Sequence, residues 1–391
     1  MNYVLFDESR RKNLLPLTFM RPVADIRFGI LTIREKWEKY LNTTTSTLTD
    51  NYLAEKFPLV KQEANIIING AICPNDNLFA EIRKLEPGNA LIKGDTIIAM
   101  CMNEEDFKKQ SNAVQEIETD VDYLEINNTW DIFVRNAQAL RDDFKMLTAG
   151  RKSAPIPSHC FAIAQENIFI EEGATILAST LNATDGPIYI GKGAEIMEGS
   201  NLRGPLAICD YAIVKMGAKI YGGTTVGPHS KVGGEVNNSV IFGYSNKAHD
   251  GFLGHSVIAE WCNLGADTNI SNLKNTYDNI KLWNYADETF VETNQQFCGL
   301  IMGDHSKCGI NTMFNTGTVV GVSANVFGSG YQRNFISSFK WGGVNGFQTF
   351  QPAKAIEIAK GMFKRRNLEF TDTEERLLTS VFELTHNYRR M

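Results

Sequence analysis

Histidine and basic side chains are the residue types in this sequence that suit proton transfer and anion binding. One of the six histidines, His249, closes the segment Lys247-Ala248-His249. An unperturbed histidine pKa of ~6.5 lets an imidazole accept a proton near neutral pH. A lone histidine is more often structural, so the residue type by itself leaves both interpretations open. Four basic side chains near the start of the chain are candidates for phosphate binding: Arg10, Arg11, Lys12 and Arg21.

A hydrophobic residue recurs at every sixth position through the region that holds His249. A period of six fits neither a helix nor an alternating strand, and it predicts a β-solenoid in which each hexad forms one side of a coil. The pattern slips by two after Val232, lapses at Asn246 and resumes after an insert. Its members are Ile190, Ile196, Leu202, Ile208, Val214, Ile220, Val226 and Val232, then Val240, Phe252, Ile258, Leu264 and Ile270, then Met302, Cys308, Phe314, Val320 and Val326.

The region before the repeat mixes strand and helix patterns. Short apolar runs at 3–6 and 66–68 predict strands, and amphipathic segments at 29–41 and 130–144 predict helices. Strands that alternate with helices indicate an α/β domain, which we place at 1–147.

The region after the repeat is predicted to be helical. We place the solenoid at 148–343 and a tail at 344–391, in which 353–363 and 373–388 have helical patterns. The basic run 364–366 between these two helices is either a solvated helix end or a phosphate contact.

Charge and composition restrict the class of protein. The 391 residues carry 39 Lys and Arg against 45 Asp and Glu, a net charge of -6, which argues against a nucleic-acid-binding protein with a broad basic surface. The sequence has no apolar run of ~18 residues, no signal-peptide pattern and no CxxC pair among its seven cysteines. We therefore expect a cytoplasmic protein without membrane or nucleic-acid partners.

The solenoid pattern and the residues around His249 resemble one family. Hexapeptide repeats that form a left-handed β-helix are typical of a large acyltransferase superfamily. Residues 235–273 closely resemble the acetyltransferase centre of the bifunctional N-acetylglucosamine-1-phosphate uridylyltransferase/glucosamine-1-phosphate N-acetyltransferases, in their archaeal and alternate bacterial forms. The matching motifs are Asn246-Lys247-Ala248-His249, Leu253-Gly254, Asn263-Leu264-Gly265-Ala266-Asp267-Thr268 and Asn272-Leu273.

This resemblance implies a role for each matching residue. His249 would be the general base that takes a proton as an amine attacks the thioester of acetyl-CoA. Gly265, Ala266 and Thr268 would line the acetyl-CoA groove, although Asp267 stands where the family has a glycine. Four residues would contact the sugar or its phosphate: Lys215, Phe252, Asn263 and Asn272.

Alternative structural roles remain open for several of these positions. Phe252 either stacks on the sugar or fills the coil, and Asn263 and Asn272 either bind sugar or satisfy turns. Asn237 replaces a phosphate-binding lysine of the family, so the grip on an anion is expected to be weaker. His255 stands where the family usually has Asp, and we expect it to be structural.

The opening of the chain, at 14–22, resembles the nucleotidyltransferase domain of the same family. The glycines that cradle nucleotide phosphates in that domain are replaced within 7–13, and Val23 stands in the place of its lysine. Ala71 follows Asn69-Gly70 where the family has an aspartate that binds Mg²⁺. Asp131 resembles a second metal carboxylate, or it caps the helix that begins there. We therefore expect at most weak nucleotidyl transfer.

The predicted architecture is a nucleotidyltransferase-like α/β domain, a left-handed parallel β-helix and a short helical tail. The leading hypothesis is an acetyl-CoA-dependent N-acetyltransferase acting on an amino-sugar phosphate or sugar nucleotide, in UDP-N-acetylglucosamine or cell-envelope sugar metabolism. The alternative is a non-catalytic sugar-nucleotide-binding or scaffolding protein. The resemblance also implies a homotrimer, and the aromatic-rich insert at 274–296 either reaches a neighbouring subunit or caps its own coil.

Overall fold

The computed structural model describes residues 1–103 and 115–390, and the chain divides into two compact units. The first unit comprises 1–14, 20–26 and 31–128. The second unit comprises 15–19, 27–30 and 129–391. The domain limits expected from the sequence, 1–147, 148–343 and 344–391, stay a prediction.

The first unit contains a mixed β-sheet with helices. Its elements are β1 (Asn2–Phe6), α1 (Ile33–Leu41), β2 (Ser46–Leu48), β3 (Ala64–Asn69), α2 (Asp76–Ile82), β4 (Asn89–Lys93), β5 (Thr96–Asn103) and β6 (Gln115–Glu118), with short 3-10 turns at Ser9–Leu14 and Val23–Asp25. The strand order is β2-β1-β3-β5-β4-β6. β1 pairs parallel with β2 and β3, whereas β5 pairs antiparallel with β3 and β4. The predicted α/β class and both predicted strands are confirmed.

The helix predicted at 29–41 is four residues too long at its start. It begins at Ile33, because Thr32 is its N-cap and forms a capping box with Glu35. Gly29 has a φ of +82°, which is outside the helical region. The backbone N–H of Gly29 is donated to Oδ1 of Asn136 at 2.8 Å rather than to a helical carbonyl.

The second unit is built around a parallel β-solenoid. Helix α3 (Asp131–Thr148) precedes the coils and confirms the helix predicted at 130–144. The strands up to the insert are β7 (Phe161–Ile163), β8 (Ile168–Ile170), β9 (Thr175–Ile176), β10 (Thr180–Asn182), β11 (Ile188–Ile190), β12 (Glu195–Ile196), β13 (Asn201–Arg203), β14 (Leu206–Ile208), β15 (Ile213–Val214), β16 (Lys219–Ile220), β17 (Thr224–Val226), β18 (Lys231–Val232), β19 (Glu235–Asn237), β20 (Val240–Ile241), β21 (Asn246–Lys247), β22 (Phe252–Gly254), β23 (Val257–Ile258), β24 (Asn263–Leu264) and β25 (Asn269–Ile270), with a 3-10 turn at Gln165–Asn167.

Further strands form the insert and the last coils, and helices form the tail. These elements are β26 (Lys281–Asn284), β27 (Thr289–Glu292), β28 (Leu300–Met302), β29 (Lys307–Cys308), β30 (Met313–Phe314), β31 (Thr318–Val320), β32 (Asn325–Val326), β33 (Phe335–Ile336), β34 (Lys340–Gly343), β35 (Gly346–Thr349), α4 (Pro352–Lys364), α5 (Asp372–Leu384) and a 3-10 turn at Asn387–Arg390. Both tail helices are confirmed, although α5 ends at Leu384 rather than continuing to 388. None of the helices in the described part of the chain is long and apolar enough to cross a membrane.

Successive strands of a coil lie on three faces of the solenoid. Face 1 contains β7, β10, β13, β16, β19 and β22. Face 2 contains β8, β11, β14, β17, β20, β23, β28, β31 and β33. Face 3 contains β9, β12, β15, β18, β21, β24, β29, β32, β34 and β35. The strands of neighbouring coils pair in parallel, apart from the antiparallel pair β34–β35. The predicted fold class is confirmed.

The hexad pattern identifies the core residues of most coils. The series from Ile190 to Val232 and the series from Met302 to Val326 lie in one continuous hydrophobic core. Small residues four positions after the core residues, such as Ala194 and Ser200, are also buried. This agreement follows from the narrow interior, where one aliphatic side chain per side fills the coil.

The predicted register is wrong by one residue between 240 and 252. The core residues there are Val236, Ile241 and Leu253, not Val240 and Phe252. The lapse at Asn246 disappears with this correction, because the buried position on that side is Lys247, which is 2% exposed. Because this core residue is a lysine, a search for hydrophobic residues at every sixth position does not detect the repeat here.

The insert packs on its own chain. β26 and β27 form an antiparallel hairpin, and Trp283 stacks on Phe335 with ring centroids 4.2 Å apart. Tyr285 is buried and lies edge-on to Phe335 and Phe19. Trp283 and Tyr285 therefore fit the second interpretation of the insert, in which it caps its own coil.

Candidate active site

A groove of about 670 Å³ runs along the corner between face 3 and face 1. The groove is lined by the turns that leave face 3 in five successive coils. Its lining residues are Met197, Lys215, Met216, Gly233, Gly234, Ala248, His249, Asp250, Ala266 and Asp267. Three residues singled out by resemblance, His249, Lys215 and Ala266, thus share one groove.

One of the corner turns that line the groove is shorter than the others. The core residues Val232 and Val236 are four apart, whereas Lys247 and Leu253 on the next coil are six apart. Gly233 and Gly234 make this tight turn: a Cβ on Gly233 would lie 2.5 Å from the carbonyl oxygen of Ala248, and Gly234 has a φ of +69°. Gly233 and Gly234 of this shortened corner line the groove together with His249.

His249 lies on the corner turn between β21 and β22. The residue is exposed and its side chain lines the groove, so the imidazole is accessible to a ligand. Its carbonyl oxygen accepts a hydrogen bond from Nζ of Lys247. An accessible imidazole on this turn could take a proton from a ligand bound in the groove.

The next turn along the corner contains residues 265–268. The N–H of Asp267 donates to the carbonyl of Asp250 at 3.1 Å, which joins this turn to the His249 turn. Asp267 has a φ of +54°, a left-handed conformation that Asp tolerates better than most residues. Asp267 therefore occupies a backbone conformation that glycine adopts readily, and it adds a carboxylate residue to the groove lining.

Gly265 and Thr268 serve the coil itself. A Cβ on Gly265 would lie 2.4 Å from the carbonyl carbon of Gly309 in the next coil. Thr268 is fully buried, and its hydroxyl donates to the carbonyl of Gly265 at 2.7 Å. Neither residue lines the groove, whereas Ala266 between them does.

Lys247 is the functional candidate that the hydrophobic pattern missed. Its Nζ donates to the carbonyl of Gly233 at 3.0 Å as well as to that of His249. Burial lowers the pKa of Lys247 to about 8, against the opposing effect of the nearby carboxylates of Asp250 and Asp267. One signal in the sequence could have identified Lys247: it is a charged residue at a core position where the repeat predicts an aliphatic side chain.

Asn272 lies at a different corner from His249. Its Nδ2 is 2.9 Å from Nδ1 of His255. His255 stacks on Phe297 and lies edge-on to Phe133 of α3. Burial lowers the pKa of His255 to about 4, so the ring is neutral and Nδ1 can accept the amide proton. This environment fits the structural role expected for His255.

Phe252 and Asn263 also lie outside the groove lining. Phe252 is half-buried on face 1, and its N–H donates to Oδ1 of Asn269 at 3.0 Å. Asn263 is exposed on face 3, where it pairs with Asn246 and Lys307 of the neighbouring coils. The sugar contacts predicted for these two residues and Asn272 stay predictions.

The basic run after α4 lies against face 3, near the groove. Nη2 of Arg366 is 3.5 Å from Oδ1 of Asn246. Burial lowers the pKa of Lys231, and the positive charges of Arg366, Lys215 and Arg365 lower it further. Positive charge therefore accumulates beside the groove residue Lys215.

Two of the candidate phosphate-binding arginines in the first unit are paired internally. Arg10 Nε is 3.0 Å from Glu8, and its other nitrogens donate to Asn127 and Thr96 at 2.8 and 2.7 Å. Such pairing occupies the donors that a phosphate would use.

Arg11 is held in the same way. It is buried and lies 3.1 Å from Asp7 and 2.7 Å from Asp50, and it donates to the hydroxyl of Tyr52 at 2.8 Å. Arg21 is also buried, whereas Lys12 is exposed. Phosphate binding by these four residues stays a prediction.

The residues present do not assemble a Mg²⁺ site around the predicted ligand. No group of three His, Cys, Asp or Glu side chains suited to a metal lies together within 1–103 and 115–390. The cap interpretation of Asp131 is wrong, because Trp130 is the N-cap and Asp131 is the first residue of α3. A carboxylate in the first turn is favourable to the helix dipole.

Comparison with known proteins supports both halves of the resemblance. Residues 3–152 match the family model described as sugar nucleotidyl transferase. A bifunctional sugar-1-phosphate nucleotidylyltransferase/acetyltransferase of Sulfurisphaera tokodaii is 28% identical over 266 residues, which are 68% of this chain and 58% of that protein. The bifunctional protein GlmU of Methanococcus aeolicus is 33% identical over 87 residues, 22% of this chain and 20% of that protein. The chain thus spans less than two thirds of the length of each of these relatives.

Among solved structures, the Francisella novicida UDP-N-acetylglucosamine acyltransferase is similar with a TM-score of 0.33 and 13% identity. The match covers 56% of this chain and 90% of that one. The two sequence relatives above carry the resemblance to the bifunctional nucleotidylyltransferase/acetyltransferases that the motifs around His249 and at 14–22 predict.

Proposed function

We propose that this protein is an acetyl-CoA-dependent N-acetyltransferase that acts on an amino-sugar phosphate or sugar nucleotide. The observation that carries the proposal is the groove in which the exposed imidazole of His249 lies beside the turn of Ala266 and Asp267. Acetyl transfer to an amine needs these two components side by side: a base for the amine proton, and a small-residue surface for the pantetheine arm and thioester.

The charges at the groove suit an acceptor that is both an amine and an anion. The carboxylates of Asp250 and Asp267 line it, and they attract the ammonium form of an amino sugar. Lys215 lines the same groove, and Lys231 and Arg366 lie near it. These cations favour a phosphate, on the acceptor or on CoA.

The reaction would proceed by attack of the neutral amine on the thioester carbon. His249 would take the proton that the amine loses as the C–N bond forms, and CoA would leave as the C–S bond breaks. The relative from Sulfurisphaera tokodaii, which combines acetyltransferase and nucleotidylyltransferase in its name, supports the assignment. By the same resemblance we propose a homotrimer.

The first unit is proposed to have lost most nucleotidyl transfer activity. Its arginines Arg10 and Arg11 are paired with carboxylates of the chain itself. This pairing is the specific observation that favours the alternative function, a non-catalytic sugar-nucleotide-binding or scaffolding protein. Calorimetric titration with acetyl-CoA distinguishes the two, because only the acetyltransferase must bind it.

The function is tested by a screen of acetyl-CoA consumption. The full chain is incubated with acetyl-CoA and a panel of amino-sugar phosphates and amino-sugar nucleotides, and released thiol is measured with a disulfide reagent. The matched control is His249→Ala on the same panel. Thiol release that depends on one acceptor and on His249 supports the proposal; no release with any acceptor leaves the scaffold alternative.

A further inference from the structure

A buried lysine lies directly beneath the candidate base. Lys247 is the face 3 core residue of its coil, in line with Val214, Val232 and Leu264 of neighbouring coils. Only 2% of its surface is exposed. Burying an ammonium group is costly unless it is hydrogen-bonded, so an aliphatic residue would be the stable choice for the coil.

The ammonium group bridges two turns of the groove from the inside. Nζ donates to the carbonyl of Gly233 at 3.0 Å and to the carbonyl of His249. Gly233 belongs to the shortened corner, and His249 belongs to the next corner. Both residues line the groove, but Lys247 itself does not. Its contact with a ligand is thus indirect, through the two backbone carbonyls.

The charged groups around Lys247 come from the same two turns and the following coils. Asp250 and Asp267 lie near enough to favour its protonated form, as does Cys308, and His249 provides the accepting carbonyl. Holding that carbonyl restricts the backbone of the turn from which the imidazole projects.

We infer that Lys247 is a positioning residue that holds the His249 turn, and with it the imidazole, in the orientation required for acetyl transfer. The inference rests on the proposed function for its kinetic consequence. The mechanical link between Lys247 and His249 is independent of any activity, and the test measures the two separately.

The main variant is Lys247→Met, which keeps the length of the side chain and removes its charge and donors. Lys247→Val is the second variant, since Val214 and Val232 occupy the same position in earlier coils. Lys307→Met is the matched control: burial also lowers the pKa of Lys307 to about 8, and its Nζ donates to the carbonyl of His305 at 2.7 Å, away from the groove. Lys247→Arg tests rescue by a residue that keeps the charge.

The first readout is the set of imidazole signals in a proton–carbon NMR spectrum of the full chain. The chain has six histidines, and the signal that is lost in His249→Ala is assigned to His249. We expect Lys247→Met to shift the His249 signal while the other signals stay in place. Lys307→Met should leave the His249 signal unchanged.

The second readout is steady-state acetyl transfer. Lys247→Met should lower kcat about 10- to 100-fold, because small misplacements of a reacting group cost that much, with KM for acetyl-CoA nearly unchanged. Lys247→Arg should restore part of kcat, and Lys307→Met should keep the wild-type value.

Separate outcomes overturn the two proposals. An unshifted His249 signal in Lys247→Met, or loss of folding in both Lys247→Met and Lys247→Val, overturns the positioning role whatever the activity. A shifted His249 signal in a chain that transfers no acetyl group supports the mechanical link and overturns the proposed function instead.

Discussion

Two histidines six residues apart have opposite environments. His249 is exposed at the groove, whereas His255 lies between Phe297 and Phe133 with Nδ1 beside the amide of Asn272. In the sequence, only the flanking motifs led to different expectations for the two residues. Both residues are histidines, and both occupy the same position within their hexads.

The buried environment of His255 predicts a pH-dependent stability. Its pKa falls from 6.5 to about 4 on folding, so the unfolded chain binds the proton more tightly. Stability is full above pH 6.5 and is lost as the pH falls towards 4, by about 3 kcal/mol at most, since a pKa difference of one corresponds to about 1.4 kcal/mol.

His255→Phe should remove this part of the pH dependence while retaining the ring contacts. At pH 7 it should cost about 1–3 kcal/mol through the lost acceptor for Asn272. Urea unfolding between pH 4.5 and pH 7.5 checks the slope. An identical slope in His255→Phe and wild type would refute the assignment.

At the scale of elements, the solenoid could be predicted because its coils repeat one physical requirement. Each side of a coil needs one aliphatic side chain in the core, so hydrophobic residues recur every six positions in the sequence. Lys247 departs from this pattern, because a charged side chain occupies the core position. Its ammonium group is hydrogen-bonded to backbone carbonyls, which the hydrophobic pattern does not reveal. The helix predicted from Gly29 starts late for a similar reason, since the partner of the Gly29 N–H, Asn136, is over 100 residues away.

The glycines of the corner turns predict different costs of substitution. A Cβ on Gly265 would lie 2.4 Å from backbone of the next coil, whereas a Cβ on Gly217 would meet open space. Gly265→Ala should therefore destabilise the protein by about 3 kcal/mol, because backbone must move. Gly217→Ala should cost about 1–2 kcal/mol for its left-handed φ of +68° alone.

Urea unfolding of the two glycine variants provides the measurement. Equal losses would show that Gly265 is not required for coil packing.

At the scale of the whole molecule, we predict a homotrimer in solution. Met216 and Ile310 are 68% and 70% exposed on the corner that carries His249, so a neighbouring chain that packed there would bury apolar surface. Light scattering at micromolar concentration should give three times the chain mass of 43.7 kDa. Ile310→Asp should shift the mass towards that of one chain, and a wild-type monomer would contradict the prediction.

The first unit should release little or no pyrophosphate from any nucleoside triphosphate with a sugar 1-phosphate. The reason is charge: Arg10 and Arg11 are neutralised by Glu8, Asp7 and Asp50, and phosphoryl chemistry needs positive charge that is free for the substrate. A coupled phosphate assay with Mg²⁺ measures the release. Robust release dependent on Mg²⁺ would show that other residues supply the charge.

The turnover of His249→Ala tests the central claim most directly. A positioned general base contributes about 10²- to 10⁴-fold to a rate, so kcat for acetyl transfer should fall by that factor. Acetyl-CoA affinity measured by calorimetry and the melting temperature should stay near the wild-type values, because the side chain is exposed. A folded His249→Ala protein with wild-type kcat would contradict the account.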